Sequence, residues 1–148
     1  MAPLVHNKKA GFNYEFLEKF EAGLDLLGSE VKSLRSHQGS LDGAYVSIRG
    51  GEAFLLGSYI PPYQPNNGSL EGYDPERARK LLLTKGELAD LIEKEKADGL
   101  TIVPISVYNK GRYLKLEIAL ARGKKKFDKR ETIKKRDVER EIGRTLKN

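Results

Sequence analysis

The chain has 148 residues, long enough for one domain with a packed core, and at 39% hydrophobic it is too apolar to be disordered throughout. It has no cysteine, which excludes disulfides and thiolate metal sites; no apolar run approaches the ~20 residues of a membrane helix, and residues 1–13 hold no apolar stretch before a small-residue cleavage site, so a cytoplasmic location without a membrane partner is expected. The net charge of +6 is confined to one end: residues 123–148 carry 11 Lys and Arg against 5 Asp and Glu, while residues 1–122 balance 16 against 16.

Residues 10–27 mix aromatics with charge. Tyr14, Phe16 and Phe20 fit period two in part, which predicts a long strand broken near Glu21 to Gly23; a helix over 14–21 is the competing reading. Ser29 as N-cap, with Val31 and Leu34 at i, i+3, predicts a short helix that Gly39 and Gly43 punctuate. Residues 44–48 and 53–56 read as paired strands around Arg49-Gly50-Gly51-Glu52, a tight turn whose glycines accept positive φ. Pro61, Pro62, Pro65, Asn66, Asn67 and Gly68 predict a long surface loop. The run Leu81-Leu82-Leu83 suits a buried strand better than a buried helix. Thr84 and Glu87 form a capping box for a helix with Leu88, Leu91 and Ile92 on one face, fading by Asp98-Gly99.

Residues 100–108 are β-rich, with Pro104 implying an edge or a bulge. Along 113–121 the chain alternates, Leu114, Leu116, Ile118 and Leu120 pointing one way and Tyr113, Lys115 and Glu117 the other. About six strands and two or three helices without a β-α-β rhythm predict an all-β fold: a closed antiparallel barrel with peripheral helices, spanning residues 1–122.

Residues 123–148 read as a separate basic tail. On a helical wheel of about 100° per residue, Arg136, Arg140, Arg144 and Lys147 form one stripe, and Val138, Ile142 and Leu146 the opposite one. Like charges at i, i+4 weaken such a helix alone, so the tail is expected to be disordered when free and helical once phosphates neutralise the arginines. Docking of the apolar stripe onto the barrel is the alternative. A neutral body with a basic tail suits a nucleic-acid partner, since Lys and Arg release counterions from phosphates; a solvated tail that only aids solubility is the plainer reading.

No catalytic constellation is legible. His6 and His37 are the only histidines, neither with a carboxylate or nucleophile at a motif spacing. Gly50-Gly51 and Gly57 make no phosphate loop, and Glu93 and Glu95 look like an exposed helix face. No catalytic residue, metal site or cofactor is expected.

Several segments together carry a resemblance: Phe20-Glu21-Ala22-Gly23, Glu30-Val31-Lys32-Ser33-Leu34-Arg35, Arg79-Lys80-Leu81-Leu82-Leu83, Leu100-Thr101-Ile102-Val103-Pro104, and Gly123-Lys124-Lys125 running into Asp128-Lys129-Arg130-Glu131. In order and spacing, from about Asn7 to the C-terminus, they resemble the small protein B (SsrA-binding protein) family. The resemblance implies an oligonucleotide-binding-like barrel that holds the tRNA-like domain of transfer-messenger RNA. It further implies a tail that enters the empty mRNA channel near the ribosomal decoding centre, in a monomeric, non-enzymatic adaptor of ribosome rescue and peptide tagging (trans-translation). A general single-stranded RNA binder on the same barrel is the alternative function.

By the same resemblance, Asn7, Lys8, Glu21 and Leu82 belong to the RNA-binding surface. Glu21 would accept hydrogen bonds from base edges or 2′-hydroxyls, or orient nearby cations, with an ordinary salt bridge as its alternative role; for Leu82 the alternative is a core leucine. Lys32 and Arg35, at i, i+3, are placed to grip phosphates. Lys124, Lys125, Asp128, Lys129 and Arg130 match the segment that acts on the ribosome, with Phe127 lying within it and Arg136, Arg140 and Arg144 beyond it. The chain departs from the family at Gly11-Phe12, Thr84, Phe127 and Val138, where a cation, an RNA-contacting side chain, a histidine and a tryptophan are frequent.

Overall fold

Of the 148 residues, the computed structural model describes 3–63, 72–96 and 99–124. The elements in chain order are β1 (Val5–His6), α1 (Lys8–Asn13), β2 (Tyr14–Leu24), α2 (Gly28–Arg35), β3 (Tyr45–Arg49), β4 (Glu52–Leu56), β5 (Arg79–Leu82), α3 (Lys85–Glu95), β6 (Leu100–Lys110) and β7 (Tyr113–Gly123). No described helix is long and apolar enough to cross a membrane. The expected tail over 123–148 falls outside the described residues apart from Gly123 and Lys124.

The alternating sequence of 100–123 folds back on itself about Gly111-Arg112, so that β6 and β7 pair from Leu100↔Arg122 to Lys110↔Tyr113. The free edge of β7 takes β2, from Tyr14↔Gly123 to Gly23↔Lys115. β5 joins the end of β2 at Gly23↔Leu82, β4 joins β5, β3 joins β4, and β3 returns to β6 at Val46↔Ile102. Six antiparallel strands thus close into a ring of pairings, with β1 added on β6 at Val5↔Val107. The expected antiparallel all-β architecture is present, with three described helices around it.

The inner face holds the main core, in which Leu55, Leu91, Ile102, Leu116 and Ile118 are almost fully excluded from water. A smaller cluster lies outside the ring, where Ala10 of α1 packs on Val103, Ile105, Ala119 and Ala121. The small alanines let α1 approach the sheet closely. They also explain why 119 and 121 are buried although they alternate with the inward leucines.

Local details depart from the sequence reading at three places. Residues 10–13 are helical, not extended, because the Asn7 side chain caps α1 by accepting from the Ala10 N–H at 3.3 Å. The break expected near Glu21 to Gly23 is absent, since Gly23 pairs on both sides, with Leu82 and Lys115; the irregularity in β2 is a bulge between Phe16 and Glu18. Ser29 is not the N-cap of α2: the helix starts at Gly28, and the Leu27 N–H donates to the Glu30 carboxylate at 2.8 Å. Other expectations are met. Gly50 and Gly51 adopt φ of 59° and 78° between β3 and β4. Thr84 and Glu87 form the reciprocal capping box of α3. Pro104 sits at a bulge in β6, where its carbonyl accepts from Asn7 Nδ2 at 2.9 Å.

The buried polar centre is Glu30. Its carboxylate accepts from Arg79 Nε at 2.9 Å, from Arg77 through Nε at 3.1 Å and through Nη2, and from the Leu27 N–H. Arg79, fully buried, also donates to Ser58 O and Oγ, to the Tyr73 hydroxyl and to Pro75 O. All three guanidinium nitrogens are therefore satisfied, as a buried charge requires.

Burial pushes the Glu30 carboxyl pKa up, but hydrogen bonds from Arg77, the Leu27 N–H and Arg79 outweigh it and hold the group below its ordinary 4.5. A carboxylate depressed in the folded state adds stability that is complete above its unfolded value and is lost as pH falls through the folded one. Urea unfolding across pH should therefore show stability declining on the acid side of about pH 4.5, with a shallower decline in Glu30→Gln. Glu30→Ala, which leaves two arginines without their shared partner, should cost about 3–5 kcal/mol at neutral pH.

Candidate nucleic-acid interface

The ring register lines up four residues across one outer face. Leu82 of β5 pairs with Gly23 of β2, Gly23 pairs with Lys115 of β7, and Lys115 pairs with Tyr108 of β6. Glu21 stands two residues from Gly23 on the same face of β2. It is exposed, accepts from Lys110 Nζ at 2.8 Å and is hydrogen-bonded by the Tyr108 hydroxyl. Those two hydrogen bonds, Lys110 first, hold its pKa below the ordinary value; burial, and then the adjacent carboxylate, push the Tyr108 hydroxyl up. Glu21 is thus a neutralised hydrogen-bond acceptor, not a bare negative charge facing a polyanion.

Gly23 contributes no side chain, and an added Cβ there would stand 3.1 Å from Leu82 Cβ. The row therefore dips between Leu82 and Lys115. The dip opens into a groove of about 320 Å³, lined with apolar groups of Leu24, Leu26, Val31 and Leu114 and bounded by the β6–β7 turn. Arg112 and Tyr113 form the turn side of its rim, and Tyr113 is 71% exposed. Leu82, expected either to touch RNA or to fill the core, is 52% exposed, while its neighbour Leu81 is buried in the core. Arg35 donates from Nη2 to the Arg112 carbonyl at 2.8 Å, tying the end of α2 to this turn. Lys32 lies instead over the Tyr63 ring, 5.8 Å from its centroid.

The other anticipated residues sit at the opposite end of the β2–β7 pair, about 30 Å away at ~3.3 Å per strand residue. Asn7 is buried, with its side chain engaged as the α1 cap and on Pro104. Lys8 is exposed on α1. Lys124 is held where the strand ends, its N–H donating to Asn13 O at 2.9 Å and its Nζ to Gly11 O at 3.1 Å. Lys125, Phe127, Asp128, Lys129, Arg130, Arg136, Arg140 and Arg144 lie outside the described residues. So Glu21, Leu82 and Arg35 gather around one end, and Asn7, Lys8 and Lys124 at the other. Among the described residues no group of three His, Cys, Asp or Glu side chains is placed to hold a metal.

Lys115, Arg112 and Tyr113 were not singled out as site residues by sequence reasoning. The alternation of 113–117 did point Tyr113 and Lys115 outward. What it could not supply was the pairing that sets them beside Gly23 and Leu82.

The family model described as SmpB protein matches residues 4–148. An SsrA-binding protein of Mesoplasma florum is 52% identical over 141 residues, covering 95% of this chain and 94% of the relative. One of Thermosipho africanus is 49% identical over 148 residues, covering 99% and 98%. A chain in the solved structure described as "tmRNA-SmpB: a journey to the center of the bacterial ribosome" is 45% identical with a TM-score of 0.69, covering 84% of this chain and 87% of that one.

Two outcomes are expected from the geometry. Tyr108→Phe removes a hydrogen bond to Glu21, so the Glu21 carboxyl should titrate closer to its ordinary 4.5 in a carbon-detected NMR titration. Arg35→Gln should speed amide hydrogen exchange at Arg112 and Tyr113 while leaving the core strands protected, because it removes one exposed tie to the turn and no core contact.

Proposed function

The chain belongs to the SmpB protein family, and on that premise we propose that it is the transfer-messenger RNA-binding adaptor of trans-translation. In this reading it binds the tRNA-like domain of that RNA, accompanies it to stalled ribosomes, and acts there without a chemical step of its own. The observation that carries the reading is a relationship that runs the length of the chain, with 49% identity over 148 residues to a protein named for binding SsrA. The ribosomal setting of the solved relative supports the second partner.

The ring of six strands is read as an oligonucleotide-binding-like barrel that serves as the RNA-specific body, residues 1–122, working in the cytoplasm as a monomer. Its RNA surface comprises Glu21, Leu82 and Arg35 at one end, with Lys32 on α2 and Asn7 and Lys8 on the α1 side. Arg35 and Asn7 act mainly by holding backbone, given their bonds to Arg112 and Pro104. Residues 123–148 form the ribosome-contacting tail, which enters the empty mRNA channel with Lys124, Lys125, Phe127, Asp128, Lys129, Arg130, Arg136, Arg140 and Arg144. Charge supports that division: every net positive charge of the chain lies in this segment, and a polycation is drawn into an RNA-walled channel.

The test is binding of the full chain, and of a 1–124 truncation that keeps the Lys124 bonds to Asn13 and Gly11, to three RNAs at two salt concentrations: transfer-messenger RNA, an ordinary tRNA and an unstructured RNA. Both proteins should prefer transfer-messenger RNA, and truncation should remove ribosome rescue far more than binding. A truncated chain without preference, together with full-length binding that has a steep salt slope and tolerates any RNA, would make the tail a generic polycation and the body no specific reader.

A further inference from the structure

Helix α1 is too short to hold itself. It has six residues, and an isolated helix of that length is unstable in water. It persists because the barrel grips it at both ends. At its start, Asn7 is 5% exposed and bonds in three directions. Its N–H donates to Ile105 O at 2.8 Å, its Nδ2 donates to Pro104 O at 2.9 Å, and its Oδ1 accepts from the Ala10 N–H at 3.3 Å. Ala10 then presses onto Val103, Ile105, Ala119 and Ala121. At its end, a helix leaves its last carbonyls without partners of its own, and α1 has no basic residue in that turn. One residue from the far side of the body supplies what is missing. Lys124 donates its N–H to Asn13 O at 2.9 Å and its Nζ to Gly11 O at 3.1 Å. A cation placed there also meets the negative pole of the helix.

Lys124 is also where the barrel gives way to the basic segment. Gly123 makes the last pairing of β7, with Tyr14, and the Lys124 N–H carries the ladder one residue further. A single main-chain bond at a strand end opens easily. The ammonium bond to Gly11 reaches across to α1 and adds a second anchor off the strand axis, so Lys124 is held against twist as well as displacement. We propose that α1 is a bracket for the C-terminal segment: Lys124 is a positioning residue that, through the Gly11 and Asn13 carbonyls, sets the direction in which residues 125–148 leave the barrel, and Asn7 acts on that direction through α1. The proposal rests on the ribosomal role of that segment given above and adds to it how the segment is aimed. A tether with a fixed root searches a smaller volume, which raises its effective concentration at a surface lying along the line of β7.

The experiment is a distance measurement on the full chain. The sequence has no cysteine, so Glu93→Cys, exposed on α3, and Lys126→Cys, just past the clamp, take one spin label each. Double electron–electron resonance reads the distance between the labels in this parent and after Lys124→Met, Asn7→Ala or both. The parent should give one narrow distribution. Lys124→Met, which keeps the length of the side chain and loses its donor, should broaden it. Asn7→Ala, which alters no residue of the segment, should broaden it to a similar extent, and the double variant should be no broader than either single one, since all release the same bracket. In a ribosome-rescue assay at saturating transfer-messenger RNA, each single variant should lower the rate about 10-fold, one order of magnitude in effective concentration, and the double variant by little more. Should Asn7→Ala unfold the body, seen as lost amide protection at Leu116 and Ile118, Asn7→Ser takes its place, keeping a cap for α1 and losing the amide donor to Pro104. A parent distribution as broad as that of Lys124→Met, a narrow one in either single variant, or effects that add in full would show that α1 does not aim the segment; the proposal then falls while the adaptor reading stands. If the parent rescues no ribosomes, the adaptor reading falls, whereas a narrow distance that depends on both Lys124 and Asn7 still establishes the bracket.

Discussion

A carboxylate with no exposed surface, Glu30, is the point on which the connections of this fold converge. Its partners come from the loop before α2, from the segment leading into β5 and from the first residue of β5, so the bonds to Leu27, Arg77 and Arg79 locate these stretches of chain against one helix. Arg79 extends the arrangement to Ser58 and Pro75, and Ser33 adds a bond from α2 to Pro61 O at 2.7 Å. An apolar core of equal volume would hold these segments as firmly, yet it would not dictate their direction, whereas a guanidinium fork meets a carboxylate in few orientations. The position of α2 follows from this, and with it the reach of Arg35 to the β6–β7 turn.

The two ends of the β2–β7 pair have different characters. One carries the Glu21–Lys110–Tyr108 group, the dip at Gly23 and the rim of the groove; the other carries α1, its asparagine cap and the point where the chain leaves the ring at Lys124. Between them runs a paired, doubly packed stretch in which Ala119 and Ala121 face one core and Ile118 and Leu120 the other. A rigid spacer of about 30 Å between two polar ends suits a molecule that must hold one RNA while engaging another surface.

Much of the fold was legible in the sequence because strands announce themselves locally. The alternation of 113–121, the paired glycines at 50 and 51 and the Thr84–Glu87 box each depend on neighbours a few residues away. The start of the chain was misread for the opposite reason. Whether residues 10–13 are helix or strand is decided by the packing of Ala10 on Val103, Ile105, Ala119 and Ala121, and by an Asn7 cap whose side chain is itself held by the Pro104 carbonyl, contacts that reach to the far end of the sequence. Ser29 has the chemistry of a cap, but α2 already begins at Gly28, where the Glu30 carboxylate accepts from the Leu27 N–H and is held from the other side by two arginines. The candidate site divides similarly. Glu21, Leu82 and Arg35 were named through the family resemblance, whereas Arg112, Tyr113 and Lys115 join them only through the register of β5, β2 and β7. Arg77 and Arg79 were visible as charges near a leucine run; their burial on Glu30 is a long-range fact that no local pattern encodes.

Closure of the ring has a consequence for how the chain is made. β2 emerges during synthesis well before its long partner, β7, and Tyr14 meets Gly123 across most of the described body. At ~5–20 residues per second, an intervening stretch of about 100 residues takes on the order of 5–20 s to appear. Through that interval β2 waits as an unpaired edge bearing Phe16, Leu17 and Phe20, and its shorter neighbour β5 offers only two paired positions. The nascent chain is therefore at its most exposed to mispairing just before β7 appears, and the bulge at Phe16–Glu18 and the charges at Glu15, Lys19 and Glu21 interrupt what would otherwise be a flat, adhesive strand.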